Sequence, residues 1–372
     1  MGTILFLIIC VISNYMGILR YILAVAVVLA HSEMPFRVSV GGNMAVQIFF
    51  MISGFYMALV LTSRYADKSY FLFITNRFFR IFPVYWFILV ATLVGSLILG
   101  VFFNKWSKLL PFFEYSELLS FEAYLYIFVS NLIIFGQDLA LFLGIGNDGG
   151  LFFTSDFTKQ DPSVYKFMLV PQAWTLSLEL IFYLIAPFIV NRSISLLVLL
   201  ILASVCLRIL LYVLFDLYAD PWSHRFFLSE LSLFLLGALS YRLRGYLSIY
   251  SRYTKYILTV AYLLGVVFYG ILFTSLSTMW IWYLLTFMLL PTIFDVTAKS
   301  KIDRWVGELS YPIYIAHMIV VGVVKILAES KGISLAVAGG INILASTLLA
   351  VVIVRMLVVP IDAFRNRRVE QA

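Results

Sequence analysis

Apolar runs of about 20 residues recur along almost the whole chain, and each is long enough as a helix to cross roughly 30 Å of hydrocarbon. That repetition constrains the fold more than any other feature. A hydrocarbon interior offers no partner for backbone N–H and C=O groups, so such runs must satisfy their own hydrogen bonds as helices. The candidate runs are 12–31, 42–62, 81–103, 121–142, 171–190, 194–217, 226–241, 256–274, 278–296, 306–328 and 333–357. Composition agrees: of 372 residues, 63% are hydrophobic and 12% charged, against about 25% charged in soluble domains. The stretch from Met1 to Ile12 is apolar but leads to no A-x-A-like cleavage site, so it is expected to belong to the first helix. Cys10 and Cys206 sit inside apolar runs and match no metal-ligand pattern. There is no glycine-rich phosphate loop and no internal repeat. The net charge of +7 is read as basic cytoplasmic loops rather than nucleic-acid binding.

Four basic clusters set the expected topology: Arg64, Lys68, Arg77 and Arg80; Arg242, Arg244, Arg252 and Lys255; Lys299, Lys301 and Arg304; and Arg365, Arg367 and Arg368. The positive-inside rule places all four in the cytoplasm. Five candidate runs lie between the first two clusters, and an odd number of crossings cannot join two points on one side. The run 121–142 is the one to drop, because Asn147, Asp148, Asp156, Lys159, Gln160 and Asp161 follow it. The expectation is an all-α, polytopic transmembrane bundle of about ten spans. Both termini are cytoplasmic, one further helix is partial or re-entrant, and 104–170 forms a large outer region. Residues 1–372 are expected to form one integral membrane domain with no soluble C-terminal domain.

Ionisable residues inside membrane runs are costly and mark functional sites by default. Arg20 and His31 share the first run. Eleven residues make three turns plus roughly 20°, so the two side chains face one way, about 16 Å apart along the axis. A polar path through the membrane fits this spacing; so does an Arg20 that snorkels to phosphates beside an interfacial His31. Ser310, Tyr311, Tyr314 and His317 form a polar stripe on the tenth span, suited either to chemistry or to hydrogen bonds between helices. Glu179 follows Trp174 and Ser177 and can orient a histidine or pair with a cation. Glu230 and Arg225 read as interfacial, and His224 as bland. Arg77 and Arg80 end the first basic loop; three residues apart, they would share one helix face, and guanidinium groups bind phosphates well. Lipid head groups satisfy the same pair.

These residues fall in segments that resemble the membrane-bound acyltransferase 3 family. "LRYILAVAVVLAH", carrying Arg20 and His31, is similar to the family's Arg-ten-residues-His helix. "VQIFFMISGF" (46–55), "NRFFRIFPVYW" (76–86), "AWTLSLELIFYLIAP" (173–187), "ELSLFLLGALS" (230–240) and "LSYPIYIAH" (309–317) follow in the family's order. Gly17, Ile18 and Tyr21 depart from its Asp-Gly and Gly around the arginine. Gln47, Thr175 and Leu180 stand where an acidic residue, Ser and Glu are common.

The resemblance implies O-acylation of a cell-surface polysaccharide or its lipid-linked sugar precursor in a bacterial inner membrane. The donor would be cytoplasmic acyl-CoA, most often acetyl-CoA, with no resident cofactor and no metal. Arg77 and Arg80 would hold the donor's phosphates and Arg20 would guide its thioester. His31 would act as general base or acyl carrier, with Glu179 and His317 as orienting or relay groups. Ser53 and Tyr311 or Tyr314 would donate to the oxyanion, and Trp174, Ser177 and Ser310 would line the substrate site. A transporter or flippase for a polar, sugar-linked substrate is the competing class, with Arg20, His31 and His317 lining its path.

Overall fold

The computed structural model describes residues 15–34, 38–273 and 276–372. Of the described residues 77% are helical, and among them eight helices are long and apolar enough to cross a membrane. In chain order the elements are α1 (Gly17–Ala30), α2 (Gly41–Thr62), α3 (Tyr70–Phe103), α4 (Leu110–Glu114), α5 (Phe121–Ile133), β1 (Leu143–Ile145), β2 (Leu151–Phe153), α6 (Trp174–Ile189), α7 (Ile194–Phe215), α8 (Phe227–Arg242), α9 (Arg244–Leu247), α10 (Arg252–Leu272), α11 (Leu276–Thr297), α12 (Lys301–Lys331), α13 (Leu335–Ile353) and α14 (Val359–Glu370). The chain is a multi-pass, all-α membrane protein.

Of the ten expected spans, α1 and α8 are short, at 14 and 16 residues. The start of the 12–31 run, with Met1 to Ile12, lies outside the described residues. The run 121–142 does not become a span. Its helix, α5, stops at Ile133 because Ile134 and Gly136 take positive φ angles of 68° and 87°. Thirteen residues rise about 20 Å, too little to cross.

Two expected boundaries are corrected. The run placed at 81–103 begins at Tyr70 and makes a 34-residue helix, about 51 Å long, so Arg77 and Arg80 are helical rather than in a loop. The last run continues to Glu370 through a π turn at Val354–Val358. The π turn precedes Pro360, which has no N–H to donate to the preceding turn, and π turns accommodate such gaps.

Two compact units make up the chain. Among the described residues, one takes in the chain up to Arg80 together with Ile185–Leu202 and Leu231–Ala372. In it, α1 and α12 run parallel at a nearly constant register: Gly17 and Ile18 meet Asp303, and the His31 ring meets that of His317. A side chain on Gly17 would collide with the Asp303 backbone carbonyl, and one on Gly307 would come within 2.8 Å of the Gly17 Cα. Bare backbone allows this approach, as small residues do between membrane helices. Ala24, Val28, Leu309, Ile313, Ala350 and Val354 fill the space where α13 packs on the pair. α2 and α8 cross antiparallel through a second glycine pair, with Gly54 against the backbone of Phe234 and Gly237 against that of Met51.

The other unit comprises Ile81–Leu184 and Ala203–Glu230. Its core joins α5 to the hairpin of β1 and β2 and the following segment through Leu119, Ala123, Ile127, Ala140, Ile145, Val164, Phe167 and Met168. Asn131 ties these parts together. Its amide donates to the Phe167 carbonyl at 3.1 Å, and its oxygen accepts from the Leu169 N–H at 2.8 Å. Glu230, expected at the interface, is instead fully buried and paired with Arg208 at 2.7 Å. The reason is that a buried carboxylate needs a fixed cation, which Arg208 on α7 supplies.

His224 is also not bland. It is buried, with Nδ1 2.7 Å from the Ser223 hydroxyl and its ring 5.9 Å from that of Trp174. Burial pushes the imidazole from 6.5 down to about 4, with the neighbouring Arg225 charge adding to the shift and Asp220 opposing it. A folded pKa below the unfolded one contributes stability above the unfolded value that is lost as pH falls through the folded value. The melting temperature of the detergent-solubilised protein should therefore drop as pH falls from 6.5 towards about 4. His224→Gln should flatten that part of the profile; an unchanged profile would show that His224 does not carry it.

Candidate active site

The site is assembled at α1 and α12. His31 follows directly on Ala30 at the end of α1, and its side chain is exposed. Its Nδ1 lies 3.0 Å from the Val27 carbonyl, one turn back. His317 is fully buried on α12, with Nδ1 2.6 Å from the Tyr314 carbonyl. A carbonyl oxygen can only accept, so in each neutral ring Nδ1 carries the proton and Nε2 holds a lone pair. The ring centroids are 4.9 Å apart. Nε2 of His317 is buried and has no hydrogen-bond partner among the described residues. The helix pair thus presents two imidazoles side by side, each with its tautomer fixed by its own backbone.

Beside them, Tyr314 is buried with its ring 6.0 Å from that of His317, and Tyr311 is half-buried on the same helix. Ser310 is buried and donates to the Gly307 carbonyl at 2.7 Å, so its proton is committed to its own helix. Ser53 is buried within α2.

Arg20 occupies the other end of α1. Arg20 is buried there, with Nη1 beside Gly307 of α12. The guanidinium lies 5.9 Å from the Tyr56 ring centroid, an arrangement that stabilises a desolvated cation. Nη1 is buried without a hydrogen-bond partner among the described residues. The helix start itself is capped by a distant residue. Asp303 accepts from the Gly17 and Ile18 N–H groups at 2.7 and 2.9 Å, satisfying two donors that a helix N-terminus leaves open and placing negative charge where its dipole favours it.

Arg77 and Arg80 lie on the first turns of α3, in the same unit. Arg77 is buried, 5.4 Å from the Phe73 ring and 5.8 Å from that of Tyr65. Arg20, Arg80 and Arg365 all lie within electrostatic reach of Glu308. A predominantly cationic cluster therefore gathers at the basic ends of α3, α12 and α14.

Trp174, Ser177 and Glu179 belong to the other unit, on α6, and have partners there. Ser177 donates to Asp138 Oδ1 at 2.5 Å and accepts from the Gly136 N–H at 3.2 Å. Burial pushes the Asp138 carboxyl up, against the lowering effect of the Ser177 hydrogen bond. Trp174 lies under the Arg225 guanidinium at 4.6 Å. Glu179 accepts from the Tyr183 hydroxyl one turn along the helix.

Sequence reasoning missed Asp303, Glu308 and Arg365 as members of the site. Glu308 alone gave a signal, a carboxylate inside the run 306–328. The others read as loop or tail charges. Among the described residues no group of three or more His, Cys, Asp or Glu side chains could hold a metal ion.

No curated protein and no solved structure matches the chain. A family model described as an acyltransferase domain matches residues 13–358, a stretch that takes in both units, the histidine pair and the arginines of α1 and α3. With nearly the whole chain inside that match, the protein belongs to the acyltransferase 3 family and is a membrane-embedded acyltransferase.

Proposed function

We propose that the protein is an O-acetyltransferase of a bacterial inner membrane. It would move the acetyl group of cytoplasmic acetyl-CoA onto a hydroxyl of a cell-surface polysaccharide or its lipid-linked precursor. The observation that carries this reading is the pair of imidazoles 4.9 Å apart, each with Nε2 left basic by the hydrogen bond of its Nδ1. A neutral imidazole is the side chain best matched to taking a hydroxyl proton near neutral pH.

In the scheme, Nε2 of His31 takes the acceptor's hydroxyl proton as that oxygen attacks the thioester carbonyl carbon. The carbon–sulfur bond then breaks, and the CoA sulfur leaves with the proton returned from His31, directly or through His317. The acetyl group ends on the acceptor oxygen. A route through an acyl-His31 intermediate uses the same lone pair. Tyr314, Tyr311 and Ser53 supply donors to the oxyanion. Only residues of one unit are used.

Arg20 and His31 mark the two ends of α1, about 16 Å apart along its axis. An extended pantetheine arm is the part of the donor that can bridge that distance. Its adenosine phosphates then stay at Arg77 and Arg80, and Arg20, at the same end of α1, guides the arm into the bundle towards His31. The acyl donor is a co-substrate, and no resident cofactor is invoked.

The arginine assignment has its own test. Arg77→Ala/Arg80→Ala should raise the KM for acetyl-CoA about tenfold or more, as expected for loss of charge-assisted contacts, while the KM for the acceptor stays unchanged. Equal rises in both constants would remove Arg77 and Arg80 from the donor site.

A further inference from the structure

The helix α14 begins at Val359, just beyond the family match, which ends at residue 358. Yet it is joined to the first turns of α3 by an unusual density of polar contacts. Asn76, immediately before Arg77, is fully buried. Its backbone carbonyl accepts from Arg365 Nε at 2.9 Å, and its side-chain oxygen accepts from Arg368 Nη1 at 2.9 Å. Its amide donates to the Tyr65 hydroxyl at 3.0 Å and to the Arg365 carbonyl at 3.5 Å. The second nitrogen of Arg368 reaches Thr75 Oγ1 at 2.9 Å. The Arg368 guanidinium also covers the Phe79 ring at 5.2 Å, and Phe364 meets that ring edge-on at 5.3 Å. Arg64 donates to Asn366 at 2.5 Å.

Two features show that this is more than a helix packed on a neighbour. Arg365 is buried, paired with Asp362, and under the like charges of Arg77 and Arg80. Burying a third guanidinium beside two others is unfavourable on its own. A residue serving only to fasten the helix would not need that charge. Moreover, α3 contains Pro83, which cannot donate to the Phe79 carbonyl, so the helix loses one hydrogen bond at the turn of Arg80. The external bonds from Arg368 to Thr75 and Asn76 lie one turn before that gap.

Building on the reading of Arg77 and Arg80 as the donor's phosphate site, we propose that α14 belongs to that site, with Arg365 and Arg368 as positioning residues that fix the Arg77–Arg80 turn for a polyanionic nucleotide thioester. Arg368 does this with a planar fork, one nitrogen on Thr75 and another on Asn76. Lysine cannot reproduce it, because a single ammonium carries its charge without that geometry.

The test is CoA binding to the purified full-length protein in detergent, by calorimetry, for the unmodified chain and for Arg368→Gln, Arg368→Lys and Arg367→Gln. Arg367 is exposed on the same helix, so its replacement removes one charge without touching the Thr75 and Asn76 contacts. The expected result is a roughly tenfold weaker Kd for Arg368→Gln and for Arg368→Lys, with Arg367→Gln within about twofold of the unmodified protein. Equal weakening by Arg367→Gln would reduce the effect to net charge and overturn the positioning role. So would unmodified CoA affinity in Arg368→Gln, whatever its melting temperature. If the unmodified chain does not bind CoA, the donor reading itself fails and takes this inference with it, a result distinct from the other two.

Discussion

His31→Ala should lower the turnover of acyl transfer by roughly 100- to 10,000-fold, the range that one positioned general base contributes. The fall should appear in kcat with folding intact. His31 is exposed, and among the described residues its one hydrogen bond is to the carbonyl of Val27 on its own helix, so its removal costs little packing. Surface changes of that kind stay within about 0.5 kcal/mol. His31→Gln refines the test. Its amide can still donate to the Val27 carbonyl, but it has no basic nitrogen, and it should be as inactive as the alanine variant. Activity retained by the glutamine variant would mean that His31 orients the acceptor rather than taking its proton.

The second large effect is structural. Gly54→Leu and Gly237→Leu should each cost at least about 3 kcal/mol, the upper part of the range for overpacking. The reason is that each side chain would have to occupy the backbone of the opposite helix, Phe234 in one case and Met51 in the other. Backbone does not move aside as a flexible side chain does. The two substitutions act on one contact, so the alanine versions should not add: once one has forced α2 and α8 apart, the second meets less resistance. Thermal melts and the monodisperse fraction in detergent read both effects. Unchanged melting of Gly54→Ala/Gly237→Ala would refute the close approach.

What could be read before the structure follows from the range over which each signal acts. Span positions came from local apolarity, and most held. The Arg20–His31 pair was legible because both lie on one helix, where period and rise fix their relation. The boundaries failed where long helices outrun the bilayer. α3 and the helix formed by α13 and α14 have 34 and 36 residues, about 50 Å each, against roughly 30 Å of hydrocarbon. Their excess length needs no apolarity, so the turns carrying Arg77, Arg80, Arg365 and Arg368 read as loop and tail. The cap of α1 was hidden for another reason. Asp303 lies 286 positions from Gly17, and no periodicity connects them. Glu230 shows the reverse error: its place at a helix start suggested an interface, whereas its partner Arg208 lies on the preceding helix.

Acyl transfer from CoA through His31 can be measured by incubating purified protein with acetyl-CoA labelled in the acetyl group and a crude surface-polysaccharide acceptor. Label should appear in the acceptor as an alkali-labile ester with free CoA released in equal amount, and neither product should form with His31→Ala. Folded, unmodified protein that leaves acetyl-CoA intact, or His31→Ala that transfers label at the full rate, would contradict transfer through His31.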